Sequence, residues 1–145
     1  MTEQFSSEYK NEALNKTAFS LNNSLPDTLV EVLPEVVAEK LTDDAVELTL
    51  WIPAGLPYFK GHFPNVPILA GVVQLHWAVQ FAKQKLSLSA TDVKNVEVLK
   101  FKVVIVPDQK LVLTLTKKTN EKFLFSYQSE KGQHASGRIV LECAS

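Results

Sequence analysis

Two of the three histidines in this 145-residue chain, His62 and His76, lie near the two ends of one stretch, HFPNVPILAGVVQLHWA. An imidazole, with an unperturbed pKa of about 6.5, is well suited to take a proton near neutral pH from a carbon beside a carbonyl group. His62 is placed for that role, between Gly61 and Phe63-Pro64 in a turn-rich segment. The negative charge that then develops on the carbonyl oxygen must meet fixed donors. Backbone N–H groups at the start of a helix have no intrahelical partners and carry the positive end of the helix dipole. Gly71, with Val72 behind it, offers such a start with no side chain in a ligand's way. His76 follows on the same segment, which is too apolar to lie on a surface. It is therefore expected to be buried, and a buried histidine needs partners.

The elements that must hold these residues follow from periodicity. Leu69 to about Leu86 reads as the one strong helix, ending in the charged stretch AKQKL. Val72, Leu75, Val79, Ala82 and Leu86 make one apolar face, and Val73, Trp77 and Phe81 make another, so other structure must wrap this helix. What remains is a narrow stripe of His76, Gln80 and Gln84, stacked one turn apart. Ahead of the helix, AGLPYFKGHFPNVPI holds two of the five glycines and three of the seven prolines, which marks an ordered loop with a restricted backbone. From Leu29 onward, VEVLPEVVAEKL and AVELTLWIP alternate apolar with polar residues around a Thr-Asp-Asp turn, as two antiparallel strands would. Downstream, VEVLKFKVVIVP, KLVLTLTKKT, KFLFSYQSE and HASGRIVLE are four β-rich segments punctuated by PDQ, TNE and KGQ. Two strands, a helix and four strands predict an α+β architecture, an antiparallel sheet curling round one central helix at about residues 69–86.

At these residues the chain carries a family resemblance. FKGHFPNVPILAGVVQLHWAVQ resembles the catalytic segment of the β-hydroxyacyl-(acyl carrier protein) dehydratases, with its Gly-His-Phe-Pro turn, its turn into a glycine-led helix, and that helix buried. VLKFKVVIVPDQKLVLTL is similar to the family's Lys-Phe strand and Pro-Asp turn, so the likeness runs from about Leu29 to Leu141. Within the family, GVVQLHWA looks closest to the dehydratases of aryl polyene biosynthesis. The resemblance implies the hot-dog fold and dehydration of carrier-bound 3-hydroxyacyl thioesters to trans-2-enoyl thioesters. It implies His62 and His76 at the catalytic positions, with Gly71, Val72 and Gln80 as oxyanion or substrate-binding residues. It further implies no metal and no cofactor beyond the phosphopantetheine on which an acyl carrier protein presents substrate, and a homodimer or higher oligomer whose paired positions come from two subunits.

Two positions depart from the family pattern. Ala70 stands where a proline usually precedes the helix glycine, which loosens the turn but leaves the N–H donors. His76 stands where the family has a Glu or Asp that protonates the leaving hydroxyl. Two nearby imidazoles disfavour double protonation, so dehydration by this pair requires a singly protonated state, with His62 neutral and His76 charged. A water donor in place of His76, a hot-dog thioesterase, a non-catalytic partner subunit of a dehydratase, and a plain structural role for His76 remain open readings.

Bulk properties set the remaining bounds. With 46% hydrophobic and 21% charged residues the chain suits one domain with one core, here residues 28–145 after a polar arm at 1–27 that is expected to be flexible or loosely docked. A formal charge of −1 gives no general attraction to nucleic acid or anionic membranes. Lys60, Lys100, Lys102, Lys117 and Lys118 are solvated strand and loop ends, or, if they cluster, a surface for an acidic carrier protein. The lone Cys143 forms no disulfide framework, and no third ligand is spaced to join His62 and His76 around a metal. The N-terminus lacks signal-peptide character and no apolar run spans a membrane, so a cytoplasmic location is expected. His134, in a polar turn, is expected at the surface, and Trp77 and Phe81 in the core.

Overall fold

Alternation decides the architecture. In the computed structural model, which describes residues 33–56 and 68–143, Val46, Leu48, Leu50 and Ile52 of strand β2 (Ala45–Ile52) all point into the core. So do Leu111, Leu113 and Leu115 of β4 (Gln109–Thr119), Phe123, Phe125 and Tyr127 of β5 (Lys122–Ser129), and Ala135, Ile139 and Leu141 of β6 (Gly132–Glu142). The polar residues between them take the other face, as a pleat with one buried side requires. With β1 (Glu35–Leu41) and β3 (Asp92–Phe101) these strands form a six-stranded antiparallel sheet in the order β1-β2-β4-β5-β6-β3. The single helix among the described residues, α1 (Gly71–Lys85), shares one core with the inward face of the sheet.

The helix is shorter than its apolar pattern suggests. Leu69 and Ala70 are not helical; the Ala70 backbone is extended and acts as the N-cap without a side-chain bond, while Leu86 closes the C-terminus. The extended Ala70 backbone ends the helical path before Gly71, and Leu69 ahead of it gives its amide to the Ile105 carbonyl at 2.8 Å. Val73 to Val79 are all buried, Trp77 completely. At the other end Lys85 meets Glu39 of β1 at 3.0 Å, fastening the last turn to the edge of the sheet.

The Thr-Asp-Asp turn is present, with the Thr42 amide bonded to the Ala45 carbonyl at 2.9 Å. The first strand begins only after Pro34, at Glu35, and the part of its sequence pattern before residue 33 lies outside the described residues, as does the 1–27 arm. The strand register is interrupted in places. In β3, Glu97 pairs with Arg138 and Lys100 with Ser136, so one extra residue bulges outward here, and Val98 takes a φ of 46° with 59% of its surface exposed.

Candidate active site

Gly71 has a packing reason to be glycine. A Cβ there would stand 2.8 Å from Cζ of Phe101, the last residue of β3, so the helix start can approach that ring only without a side chain. Val73 and Gln74 both turn their amides to the Ala70 carbonyl, at 3.1 and 3.2 Å. The amides of Gly71 and Val72 lie in the turn where a helix has no internal acceptor to offer. They form the positive end of a helix whose first turn holds no acidic side chain to neutralise it.

His76 lies on the same helix, 1% exposed. The polar stripe of His76, Gln80 and Gln84 grades from buried through half-buried to exposed, so it runs from the core out to solvent. Gln80, between them, has access to both. His62 and its neighbours Lys60, Pro64 and Pro67 lie outside the described residues. Of the expected site, the structure therefore places Gly71, Val72, His76 and Gln80 along one helix.

Gln74 is a site neighbour that pattern reading passed over. It is 4% exposed, and its Nε2 donates to the Leu69 carbonyl at 3.1 Å, folding the side chain back over the start of the helix. Its Oε1 is buried with no donor among the described residues, while its backbone carbonyl accepts the Tyr127 hydroxyl at 2.5 Å. Burial pushes the Tyr127 phenol well above its ordinary pKa of 10.0, so at neutral pH it is a donor fixed beneath the helix. A polar residue among apolar ones on a helix gives no sequence signal for this, since its Tyr127 partner lies 53 residues away in the sheet.

With this geometry established, comparison with known proteins places the chain. The model of the ApeI-like family, described as ApeI dehydratase, matches residues 38–138, well over half the chain. The chain belongs to the ApeI-like dehydratase family. It is 27% identical over 83 residues to the 3-hydroxyacyl-[acyl-carrier-protein] dehydratase FabZ of Streptococcus pyogenes serotype M3, a match covering 53% of this chain and 60% of that protein. Among solved structures, the dehydratase heterocomplex ApeI:P from Xenorhabdus doucetiae superimposes with a TM-score of 0.70 at 24% identity, covering 78% of this chain and 100% of that one. An uncharacterized protein from Erwinia carotovora subsp. atroseptica is 31% identical with a TM-score of 0.62, covering 77% of this chain and 98% of that one. The fold is the hot-dog fold, a sheet wrapped around one core helix, as expected for an ApeI-like chain.

Two expectations about surface residues fare differently in this ApeI-like chain. His134 is not at the surface: it is fully buried, with both ring nitrogens in hydrogen bonds. The described lysines are solvated strand and loop ends, as expected: Lys100 near the end of β3, Lys102 just past it, and Lys117 and Lys118 near the end of β4, none of them buried. Trp77 and Phe81 are core residues, as expected. Among the described residues no group of acidic, His or Cys side chains is placed to hold a metal, and no helix is long and apolar enough to cross a membrane.

Proposed function

We propose that the chain dehydrates 3-hydroxyacyl thioesters, carried on the phosphopantetheine of an acyl carrier protein, to trans-2-enoyl thioesters in a fatty-acid-like or aryl polyene pathway. The observation that carries this reading is the buried His76 on a core helix led by Gly71, in a chain of the ApeI-like dehydratase family. In the proposed reaction His62 takes the proton from the carbon beside the thioester. The amides of Gly71 and Val72 receive the charge that moves onto the carbonyl oxygen, where fixed donors act most strongly. The electron pair returns to form the double bond as the bond from carbon to the β-hydroxyl breaks, and His76 gives that oxygen the proton with which it leaves as water. Gln80, bordering His76, orients its imidazole or the substrate. Both histidines regain their starting protonation by exchange with solvent, so the cycle balances without a redox cofactor.

The working unit is proposed to be one hot-dog domain, residues 28–145, behind a polar arm at 1–27, assembled at least as a homodimer and acting in the cytoplasm. The lone exposed cysteine, Cys143, suits such a reducing compartment. A second reading, a partner subunit within a dehydratase assembly, has its own support. A histidine replaces the family's usual carboxyl group at position 76, and the Xenorhabdus neighbour is described as a heterocomplex. One assay separates these readings: a 3-hydroxyacyl carrier protein is incubated with the protein, following carrier mass and free thiol together. Loss of one water with the thioester intact supports the dehydratase. Release of thiol and free acid means a thioesterase, and no change in the carrier means a subunit that does not catalyse alone.

A further inference from the structure

Between β3 and β4 the backbone has no regular structure, yet it is tied down along its length. Lys102 and Val103 give their amides to the His134 carbonyl at 2.8 and 3.4 Å, Ile105 accepts the Leu69 amide at 2.8 Å, and Asp108 donates to the Ile52 carbonyl at 2.5 Å. Ile52 ends β2 and Leu69 stands just before α1, so this strap holds the chain on either side of residues 57–67.

His134 is where the strap is anchored to the sheet. On β6 it falls at a shift in register, with Ala135 opposite Tyr127 and Gln133 opposite Gln128, so His134 is the extra residue of a bulge and is left out of the ladder with β5. Its carbonyl is thereby turned to the strap, and so is its ring. Nδ1 lies 3.1 Å from both the Val103 and the Val104 carbonyl oxygens, and Nε2 lies 2.6 Å from Ser129 Oγ. Carbonyls only accept, so Nδ1 carries the proton and bridges the two. In the neutral ring with its proton on Nδ1, Nε2 accepts from the Ser129 hydroxyl, whose oxygen accepts the Lys131 amide at 3.1 Å. One neutral tautomer meets every contact.

We propose that His134 is a positioning residue for the start of α1. It fixes Val103 and Val104, these fix Ile105, and Ile105 holds Leu69 by its amide while Gln74 holds the same residue by its carbonyl. Val103 and Val104 are half-buried, but His134, Ile105 and Leu69 are each no more than 1% exposed, so the two ends of this route lie in the core. The role in catalysis rests on the dehydratase reading, in which the Gly71 and Val72 amides must meet a reacting oxygen; oxyanion donors act within about 2.7–3.1 Å. A displacement of about 1 Å at such a place costs on the order of 10² in rate.

The test pairs hydrogen exchange with kinetics on the full chain. In His134→Leu the Leu69 amide is expected to exchange on the order of tenfold faster or more, relative to the Leu113 amide in the middle of β4. Its kcat for dehydration of a 3-hydroxyacyl carrier substrate is expected to fall by about 10- to 100-fold with KM little changed. His134→Asn, whose carboxamide N–H replaces Nδ1–H, should recover most of both, and Ser129→Ala should lie between. The proposal is overturned if Leu69 and Leu113 exchange faster together and kcat falls only with the folded fraction, or if His134→Asn is as impaired as His134→Leu. Should His134→Leu fail to fold, wild-type Leu69 exchange and kcat in Ser129→Ala overturn it. A wild-type protein without dehydratase activity defeats the functional reading, while the exchange comparison still decides whether His134 positions Leu69.

Discussion

At position 76 the choice of side chain decides which acid is available. His76 is 1% exposed on the core helix, so its ring is held in place, and a substitution there changes chemistry and packing together. His76→Ala is expected to cut the dehydration rate by on the order of 10²–10⁴, the usual loss on removing a positioned acid or base. His76→Gln should not recover it, since a carboxamide donates a hydrogen bond but does not release a proton at neutral pH. His76→Glu should recover much of it, because burial raises a carboxyl pKa towards the working range. A pH–rate profile for each variant separates this from a packing effect: an unchanged profile and near wild-type rate in His76→Ala would leave water as the donor. A second position is limited by sterics. In Gly71→Ala the new methyl meets Phe101 Cζ at 2.8 Å, and because that ring is only half-buried and can yield, the expected loss is about 1 kcal/mol, the low end for overpacking. Denaturant unfolding of Gly71→Ala, Phe101→Leu and the double variant checks this, the double variant being more stable than the sum of the single changes predicts.

The elements show which signals survive without a structure. Period-two runs such as Val46, Leu48, Leu50 and Ile52 were readable because one face of the sheet is buried along its whole length. The helix is readable for the same reason, yet apolar periodicity runs on through Leu69 and Ala70, where the extended Ala70 backbone keeps the chain out of the helix. His134 was misread because its burial does not come from its own strand. Alternation in β6 buries Ala135, Gly137 and Ile139; His134 is covered by a strap some thirty residues earlier in the chain, a tertiary contact that leaves no mark in KGQHASG. Tyr127, in phase on β5, was visible as core, but its bond to the Gln74 carbonyl was not. That bond has a measurable consequence. Since burial raises the Tyr127 pKa above 10.0, the unfolded chain ionises first as pH rises; the stabilisation is complete below pH 10 and declines as pH climbs from there towards the folded value. Tyr127→Phe should be less stable than wild type by about 1 kcal/mol at pH 7 for the lost hydrogen bond. The gap should close above pH 10, read as converging urea midpoints.

For the whole molecule, the question is whether one chain makes a complete site. The apolar helix needs no second chain for its cover, because Val73 to Val79 are already buried within one chain. What the described residues leave uncovered are the two edges of the sheet, with Leu41 67% exposed on β1 and Val98 59% exposed on β3. Assembly therefore rests on these edges and on the proposed sharing of His62 and His76 between subunits. Sharing has an arithmetic signature. His62→Ala and His76→Ala are each expected to be inactive alone, because every site lacks one of the two groups. Unfolded together, mixed in equal amounts and refolded, they should form mixed dimers in which one site has lost both histidines and the other has both intact. Random pairing in a two-fold dimer then restores about one quarter of the wild-type activity. If both histidines of a site come from the same chain, mixing restores none, since every site keeps one defect whichever partners meet. Sedimentation of the wild-type protein as a monomer at micromolar concentration would exclude the shared site before any mixing is done.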